Sequence, residues 1–450
     1  MTPNPASQTW KPHVARAGPY RWDGDTAPSE PGEQRTNIEP WLAALVQAEH
    51  VNLLVGSGLT TAVATLAGAT TVDMGSVPFE CELGNVVDRV VVESAGRAER
   101  GEPNLEDQVR TARELIAGLR ILSADGSDLS DRATQLLKTW ETELDARLRS
   151  LLGGVLNTER EIDAALRSGT ADANRIRRLL SSFLLTFASR AASRERLHIF
   201  TTNYDRLIEY GGDLLGLRIL DRFVGRLEPV FRASRLGVDL HYNPPGIRGE
   251  PRYLEGVVRL TKLHGSVDWR QGESGVGGPR IVREALPFGA PSDHPALPSS
   301  PREGLIVYPN PAKDIETLEY PYAELFRDFA AAVCQPNTVV VTYGYGFGDD
   351  HINRVLRDML TIPSTHLAVL SYDEASGRIE RFVEAVSRDE QLTLLIGNHF
   401  GDLEELVNYY LPKPAIDSTT WRMIELVNRR TPHNVPVPRH EPDDAAGSSA

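Results

Sequence analysis

The sequence has few cysteines and lacks long hydrophobic runs. Cys81 and Cys334 are the two cysteines among 450 residues, too few for a four-cysteine zinc site or a disulfide framework. No stretch approaches the roughly 18 consecutive apolar residues that a membrane-spanning helix needs. The first residues also lack the charged start and apolar core of a secretory signal. We therefore expect a cytoplasmic protein that does not enter a membrane.

Positive charge is also in short supply. Lys and Arg number 48 against 62 Asp and Glu, which gives a formal net charge of −14. The phosphate backbone repels such a chain, so we do not expect direct nucleic-acid binding, although a local basic patch remains compatible with the composition. The hydrophobic fraction of 41% suffices for an ordinary buried core.

The stretch from Leu197 to Asp205 reads Leu-His-Ile-Phe-Thr-Thr-Asn-Tyr-Asp. A short apolar run that ends in polar residues is typical of a buried strand whose carboxyl end opens into a cleft. Ligands of doubly wound sheets bind at that end of the strands. The first candidate site therefore comprises Thr201, Thr202, Asn203 and Asp205.

A second strand, Val51 to Val55, runs directly into a glycine-containing loop. Glycines let the backbone approach a ligand, and the N–H groups that begin a helix favour an anion such as a diphosphate. The loop lacks the third glycine of the common dinucleotide fingerprint, so a plain strand-to-helix turn remains an alternative. The residues of this loop that we assign to a ligand are Gly56, Ser57, Gly58 and Thr60.

Two further strand ends carry polar or glycine residues. His264 follows an apolar run and precedes a glycine; with an ordinary pKa of about 6.5 it can act as a general base, although a lone histidine is more often structural. Another strand, Thr338 to Thr342, opens into a loop with Gly344 and Gly346 ahead of a helix. Asp349 and His351 are weaker site candidates at the start of that helix, and for Asp349 we favour the alternative role of a helix cap.

Alternation of strands and helices predicts an α/β fold: a Rossmann-like doubly wound parallel sheet with an inserted helical subdomain. Residues 1–35 are expected to form a flexible arm and residues 36–411 the catalytic domain. Within that domain, the pattern predicts a loop excursion over 267–303 and a helical insertion over about 98–196. The apolar stripes of the insertion are core positions or contacts with a neighbouring subunit; one of them comprises Leu137, Trp140, Leu144, Leu148 and Leu151. Residues 412–450 are predicted to form an extension with one amphipathic piece, Trp421 to Val427, and a largely disordered end.

Four segments together resemble the signatures of the sirtuin superfamily, in the order that the family has them. The resemblance covers about residues 38–411. Two of the motifs, Asn-Tyr-Asp and a Gly-Tyr-Gly-Phe that is followed by Asp-His-Ile-Asn, are most similar to those of divergent bacterial sirtuin-like proteins of antiphage defence. Those are NAD-hydrolysing effectors, some of which assemble with a HerA-type hexameric ATPase. The segments are Gly56-Ser57-Gly58, Thr202-Asn203-Tyr204-Asp205, Lys262-Leu263-His264-Gly265-Ser266 and Gly344-Tyr345-Gly346-Phe347.

The resemblance implies NAD+ as substrate and assigns a role to each site residue. Asn203 would hold the ribose hydroxyls and a water, His264 would accept a proton, and Asp205 would favour positive charge at the sugar carbon. A homo-oligomer and a HerA-type ATPase are the implied protein partners. Gly56, Ser57, Gly58 and Thr60 are expected to face the diphosphate of the cofactor. Thr202 is also expected to bind the cofactor, and Gly344, Gly346 and Phe347 are expected to border its adenosine half.

Two departures from the deacetylating sirtuins bear on the reaction. Those enzymes usually carry a four-cysteine zinc module after the histidine segment, and this chain has none, so we expect no zinc. Their first glycine loop leads into an Ala-Asp-Phe-Arg type segment, which Ser76 to Glu80 does not match. Three functions remain open: an NAD+ hydrolase, an NAD-dependent protein deacylase, and a scaffold that senses NAD or ADP-ribose without turnover.

Overall fold

The computed structural model describes residues 10–413, apart from residues 31, 73, 98–102, 125, 127, 192–193, 235–238, 243–251, 276–277, 302–304 and 308–319. Residues up to Pro412 form one compact unit. The predicted amphipathic piece from Trp421 to Val427 and the predicted disordered end lie outside the described residues.

Strands and helices alternate along most of this unit. The strands are β1 (His13–Ala17), β2 (Tyr20–Gly24), β3 (His50–Val55), β4 (His198–Thr201), β5 (Arg218–Leu220), β6 (Phe223–Val224), β7 (Val230–Phe231), β8 (His241–Tyr242), β9 (Arg252–Tyr253), β10 (Val257–Lys262), β11 (Gly265–Gly275), β12 (Gly278–Arg283), β13 (Leu305–Val307), β14 (Thr338–Tyr343), β15 (His366–Ser371) and β16 (Leu392–Ile396). The helices are α1 (Arg35–Leu45), α2 (Ser57–Ala67), α3 (Gly84–Arg97), α4 (Leu105–Ser123), α5 (Asp128–Arg167), α6 (Ala171–Ala188), α7 (Leu207–Leu215), α8 (Tyr322–Val333), α9 (Asp350–Leu360), α10 (Arg378–Val386) and α11 (Asn398–Gly401), followed by short helical turns at Leu403–Glu405 and Leu406–Tyr410.

The main sheet has nine strands in the order β2-β1-β16-β15-β14-β3-β4-β10-β5. The strands from β16 to β5 are mutually parallel, whereas β1 and β2 form an antiparallel edge. From β3 the chain proceeds to β4 and β10 on one side and later returns to β14 on the other. The strand order therefore reverses between β3 and β14, where doubly wound sheets bind ligands. This arrangement confirms the predicted α/β, Rossmann-like fold class.

Helices cover both faces of the parallel strands. On β14, Val341 packs into the cluster that contains Leu59 of α2 and Phe183 of α6. The preceding residue, Val340, packs on the opposite face with Phe329 of α8 and other apolar side chains. Successive side chains of a strand point to opposite faces, so a strand buried on both sides consists of consecutive apolar residues. The β-branched run of β14 has that pattern.

The helical subdomain is built mainly from α3, α4 and α5, with α4 and α5 packed along each other. Trp140 is fully buried there and lies 4.9 Å, ring centroid to ring centroid, from Phe79. Leu144 and Leu148 of the predicted α5 stripe join the same cluster. The helices begin at Gly84, earlier than the sequence pattern indicates, and α6 packs into the main core. None of the described helices has the length and apolar character of a membrane span.

Two regions that were expected to be irregular contain strands. Within the predicted flexible arm of residues 1–35, β1 pairs with β16 and buries Val14 and Ala15 completely. Within the predicted loop excursion of residues 267–303, β11 and β12 belong to a five-stranded antiparallel sheet of order β13-β11-β12-β7-β6. Trp269 and Ile281 are buried in that sheet. Both expectations are wrong for these strands. The partner of β1 is distant in sequence, whereas β11 and β12 pair with each other and are buried by the sheet that they join, and composition reveals neither pairing.

Candidate active site

The loops that follow β3 and β14 lie against each other at the switch point. Gly58 donates its backbone N–H to the carbonyl of Gly344 across 3.1 Å. A Cβ placed on Gly58 would lie 2.5 Å from the Cα of Gly344. Gly344 also has a φ of +60°, which side chains other than that of glycine rarely adopt. Close backbone packing between the two loops therefore requires glycine at both positions.

A cavity of about 410 Å³ opens at the carboxyl ends of the strands, above these loops. Asn203 and His264, from the ends of β4 and β10, both line it. Phe347 instead packs between Tyr345 and Phe382, with ring-centroid distances of 4.8 and 4.9 Å. Eight of the residues assigned from sequence line the cavity: Gly56, Ser57, Thr60, Thr202, Asn203, Asp205, His264 and Gly346. Thr201, Gly58, Gly344 and Phe347 do not line it.

Asn203, Thr60 and Asp205 form a directed hydrogen-bond chain. The Asn203 amide donates to the carbonyl of Gly56 at 3.0 Å and to the hydroxyl of Thr60 at 3.1 Å. That hydroxyl donates in turn to Oδ2 of Asp205 at 2.7 Å. The other Asp205 oxygen accepts from the N–H of Leu207 at 3.0 Å, at the start of α7. Thr60 therefore holds two candidate catalytic side chains, a role that differs from the diphosphate contact assigned to it from sequence.

His264 lies beside Asp349, with 3.2 Å between the imidazole Nε2 and the carboxylate Oδ2. Both side chains are largely buried. Asp349 occupies the N-cap position of α9, but its side chain makes no capping hydrogen bond. The expectation that Asp349 serves as a helix cap is thus wrong for its side chain, which is directed to the histidine. His351 is buried against Phe326 and is not among the residues that line the cavity.

The helical subdomain forms one wall of the cavity. The Tyr204 hydroxyl donates to Oε1 of Glu106, in the first turn of α4, at 2.9 Å. Burial, reinforced by the Glu106 carboxylate, raises the pKa of Tyr204 well above its ordinary value, so the phenol remains a donor. A capping box between Asn104 and Asp107 fixes this end of α4. The cavity-lining residues of the subdomain are Asn104, Glu106, Asp107, Leu151, Val155 and Thr158.

Sequence analysis did not identify these wall residues as part of the site. The spacing Asn-x-x-Asp ahead of an apolar run is a capping-box signal and locates the helix start. It carries no information about which surface that helix end faces. Leu151, assigned to a core stripe, is buried and also faces the cavity.

Charged side chains next to the cavity hold the segment from Asn203 to Glu209 in place. Lys262, at the end of β10, donates to the backbone carbonyl of Asp205 and lies 3.0 Å from Oε1 of Glu209. Burial raises the pKa of Glu209, while the neighbouring ammonium group opposes that rise. Arg206 forms a buried ion pair with Glu159 of α5. Removing one partner of such a pair is costly because the other charge stays buried, so the segment is firmly anchored.

The cavity combines an acid–base group with oriented polar side chains at the switch point of a parallel sheet. An imidazole paired with a carboxylate can move a proton, and a fixed amide and carboxylate can orient a polar substrate. Among the described residues, no group of three or more His, Cys, Asp or Glu side chains is arranged to hold a metal ion. Fold and site together define an α/β protein with a Rossmann-like sheet and a polar cavity at its switch point.

Comparison with known families gives a more specific result. The model of the SIR2-like domain family matches residues 197–389, somewhat less than half of the chain. The matched segment includes Asn203, His264 and Asp349, and it excludes the first glycine loop and the helical subdomain. The match supports a sirtuin-like superfamily member and is compatible with NAD-dependent activity. No curated protein matches the chain.

Proposed function

We propose that this protein hydrolyses the bond between nicotinamide and ribose in NAD+, releasing nicotinamide and ADP-ribose. The observation that carries the proposal is the convergence of Asn203 and His264 on one cavity at the switch point, with Asp205 and the first glycine loop on the same cavity. Asn203 follows β4 and His264 follows β10, so the two side chains come from positions about 60 residues apart in the chain. The family match over residues 197–389 supports the proposal because it is compatible with NAD-dependent activity.

The reaction breaks the bond between the ribose C1′ and the pyridinium nitrogen, and the bonding electrons go to the ring, which leaves neutral. Water supplies the hydroxyl group at C1′. His264 accepts the proton that this water loses and passes it to solvent. Asp349, 3.2 Å from Nε2, orients the imidazole for this proton transfer.

Asn203 positions the ribose and the water. Its two amide hydrogens are donated to Gly56 and Thr60, so the side-chain oxygen is the atom that accepts from a ribose hydroxyl or from water. Asp205 receives two hydrogen bonds, from Thr60 and from the N–H of Leu207, which hold its carboxylate in one orientation. A fixed carboxylate at this position stabilises the positive charge that develops at the sugar carbon.

The biological part of the proposal follows from the resemblance to antiphage sirtuin-like proteins. We infer that the protein acts in the cytoplasm, depletes NAD+ when a phage infects the cell, and works as a homo-oligomer under the control of a HerA-type ATPase. Metabolite measurement in infected cells tests this: NAD+ should fall in cells that carry the wild-type gene and not in cells that carry Asn203→Ala. Equal NAD+ loss in both strains would contradict the proposed role.

Product analysis separates hydrolysis from the alternatives. Incubation of the purified protein with NAD+ should give nicotinamide and ADP-ribose in equal amounts. Formation of acetyl-ADP-ribose only when an acetylated peptide is added would instead identify a protein deacylase. Binding of NAD+ without nicotinamide release, with or without a co-purified ATPase, would identify a sensing scaffold.

A further inference from the structure

Charge is unevenly distributed around the candidate active site. The cavity lining contains four acidic side chains, those of Glu106, Asp107, Asp205 and Asp349. Among the described lining residues, Arg378 is the one Lys or Arg side chain. A cavity of this composition is unfavourable for an anionic ligand except near the guanidinium group.

Arg378 is located on the opposite side of the switch point from the candidate catalytic residues. It is the first residue of α10, which follows β15, whereas Asn203 and His264 follow β4 and β10. Its Nε donates to the carbonyl of Gly346 at 2.7 Å, which holds the guanidinium group against the second glycine loop. The charge therefore lies near the end of β14, across β3 from Asn203.

The glycine loops offset the negative charge of a diphosphate only in part. The N–H of Gly58 is donated to Gly344, and both glycines lie outside the cavity lining. A side chain with a permanent positive charge is then the strongest anion-binding group on this side of the cavity.

We propose that Arg378 binds a phosphate of the ADP portion of the dinucleotide and thereby sets the direction in which it lies in the cavity. This inference rests on the proposed use of NAD+. In this direction, the phosphates lie beside the guanidinium group, and the cationic nicotinamide ring lies toward Glu106 and Asp205. The reverse direction would place the phosphates among carboxylates, and it is disfavoured by charge repulsion.

Calorimetric titration with ADP-ribose and with adenosine tests the role of Arg378. We expect R378Q to bind ADP-ribose roughly 10- to 100-fold more weakly than wild type, because a charge-assisted contact to phosphate is lost. Adenosine, which has no phosphate, should bind both proteins equally. R378K should fall between them, since lysine keeps the charge without the planar fork.

Arg381 offers a matched control. It lies one helical turn further along α10, is exposed, and is not part of the cavity lining. R381Q should bind ADP-ribose as wild type does. Melting temperatures of all variants, measured without ligand, identify any loss of folding. If R378Q is unstable, the affinity of R378K for ADP-ribose tests the inference in its place.

Two results would overturn the inference while leaving the proposed function intact. Unchanged ADP-ribose affinity in R378Q would show that Arg378 does not bind phosphate. Equal losses for ADP-ribose and adenosine would show that the guanidinium group stacks on the base instead. A wild-type protein that binds neither ADP-ribose nor NAD+ would contradict the proposed function and the inference together.

Discussion

The imidazole of His264 and the carboxylate of Asp349 lie 3.2 Å apart, and they come from chain segments on opposite sides of two central strands. His264 follows β10 and Asp349 precedes α9 after β14, so the pair spans the ends of β3 and β4. A carboxylate beside an imidazole accepts a hydrogen bond from one ring nitrogen and so orients the ring. The pair therefore joins the two halves of the sheet at the candidate active site.

Replacing Asp349 by asparagine separates this role from helix capping. Asparagine caps helices as well as aspartate does, so D349N should leave the melting temperature nearly unchanged. Loss of the negative charge beside His264 should reduce kcat for nicotinamide release by roughly 10- to 100-fold, as removal of acid–base assistance does. Steady-state kinetics over a range of pH, together with thermal unfolding, measure both effects.

The neighbouring residue provides the control for that experiment. Asp350 is exposed at the start of the same helix and does not line the cavity. D350N should retain wild-type kcat. A D349N protein that is as active as D350N would rule out the pairing as a functional contact.

Thr60→Val tests the hydrogen-bond chain between Asn203 and Asp205. Valine has the shape of threonine but neither donates nor accepts, so the Asn203 amide and the Asp205 carboxylate each lose a partner. We expect the free energy of unfolding to fall by about 1–3 kcal/mol and nicotinamide release to slow. Chemical denaturation measures the free energy of unfolding, and initial rates measure nicotinamide release.

Thr65, exposed on the same helix, is the corresponding control position. T65V should change the free energy of unfolding by no more than about 0.5 kcal/mol, as is usual for surface substitutions. Equal effects of T60V and T65V would mean that the chain through Thr60 contributes nothing specific.

Glu106→Gln tests whether the helical subdomain contributes to substrate recognition. Glutamine can still accept from Tyr204 but no longer carries the charge that would attract a cationic nicotinamide ring. Affinity for a carbocyclic NAD+ analogue that cannot be hydrolysed should fall by about 5-fold, in keeping with a partly screened charge interaction. Affinity for ADP-ribose, which lacks the ring, should not fall.

Glu114, which is exposed on the same helix, is the control position. E114Q should change neither the affinity for the analogue nor the affinity for ADP-ribose. If E106Q weakened both ligands equally, the loss would be one of cavity shape rather than of charge recognition.

His399→Phe tests the cost of burying histidine under the N-terminal hairpin. Neither ring nitrogen of His399 has a hydrogen-bond partner among the described residues, and the ring packs near Trp22 and Tyr410. Burial lowers the pKa of His399 to about 4, and it has the same effect on His366. The unfolded chain, with a histidine pKa of about 6.5, then binds more protons than the folded protein.

The sign of the pH effect follows from that difference. The folded pKa lies below the unfolded value, so stability is fully present above about pH 6.5 and is lost as the pH falls toward 4. Urea unfolding at pH 5 and pH 7.5 should show a smaller loss of stability at low pH for H399F than for wild type. The same pH dependence in both proteins would mean that His399 is hydrated and titrates normally.

Sequence patterns located the parallel strands well because such strands are buried on both faces. The predicted strands Val51–Val55 and Thr338–Thr342 agree with β3 and β14 to within one residue at either end. Their apolar runs need no knowledge of distant partners. The same patterns placed Asn203 and His264 at strand ends, and the parallel sheet brings strand ends to one edge.

Features that depend on distant pairing were not predictable in this way. Strand β1 is stabilised by β16, which lies more than 370 residues later in the chain. Glu106 is a polar residue on an amphipathic helix, a pattern that normally indicates a solvated face. The glycine at position 58 signals a close approach of something to the backbone, but only the structure identifies that neighbour as Gly344.

The most direct test of the account is nicotinamide release from NAD+ by the purified protein, compared with N203A and H264A, with and without a co-expressed HerA-type ATPase. We expect the wild-type protein to release nicotinamide and both variants to lose at least about 100-fold in rate, as loss of positioning or acid–base groups does. Unchanged melting temperatures in the variants would assign the loss to chemistry. Release that continues at the wild-type rate in both variants would contradict the assignment of the site, and the absence of release from wild type under every condition would contradict the proposed hydrolase.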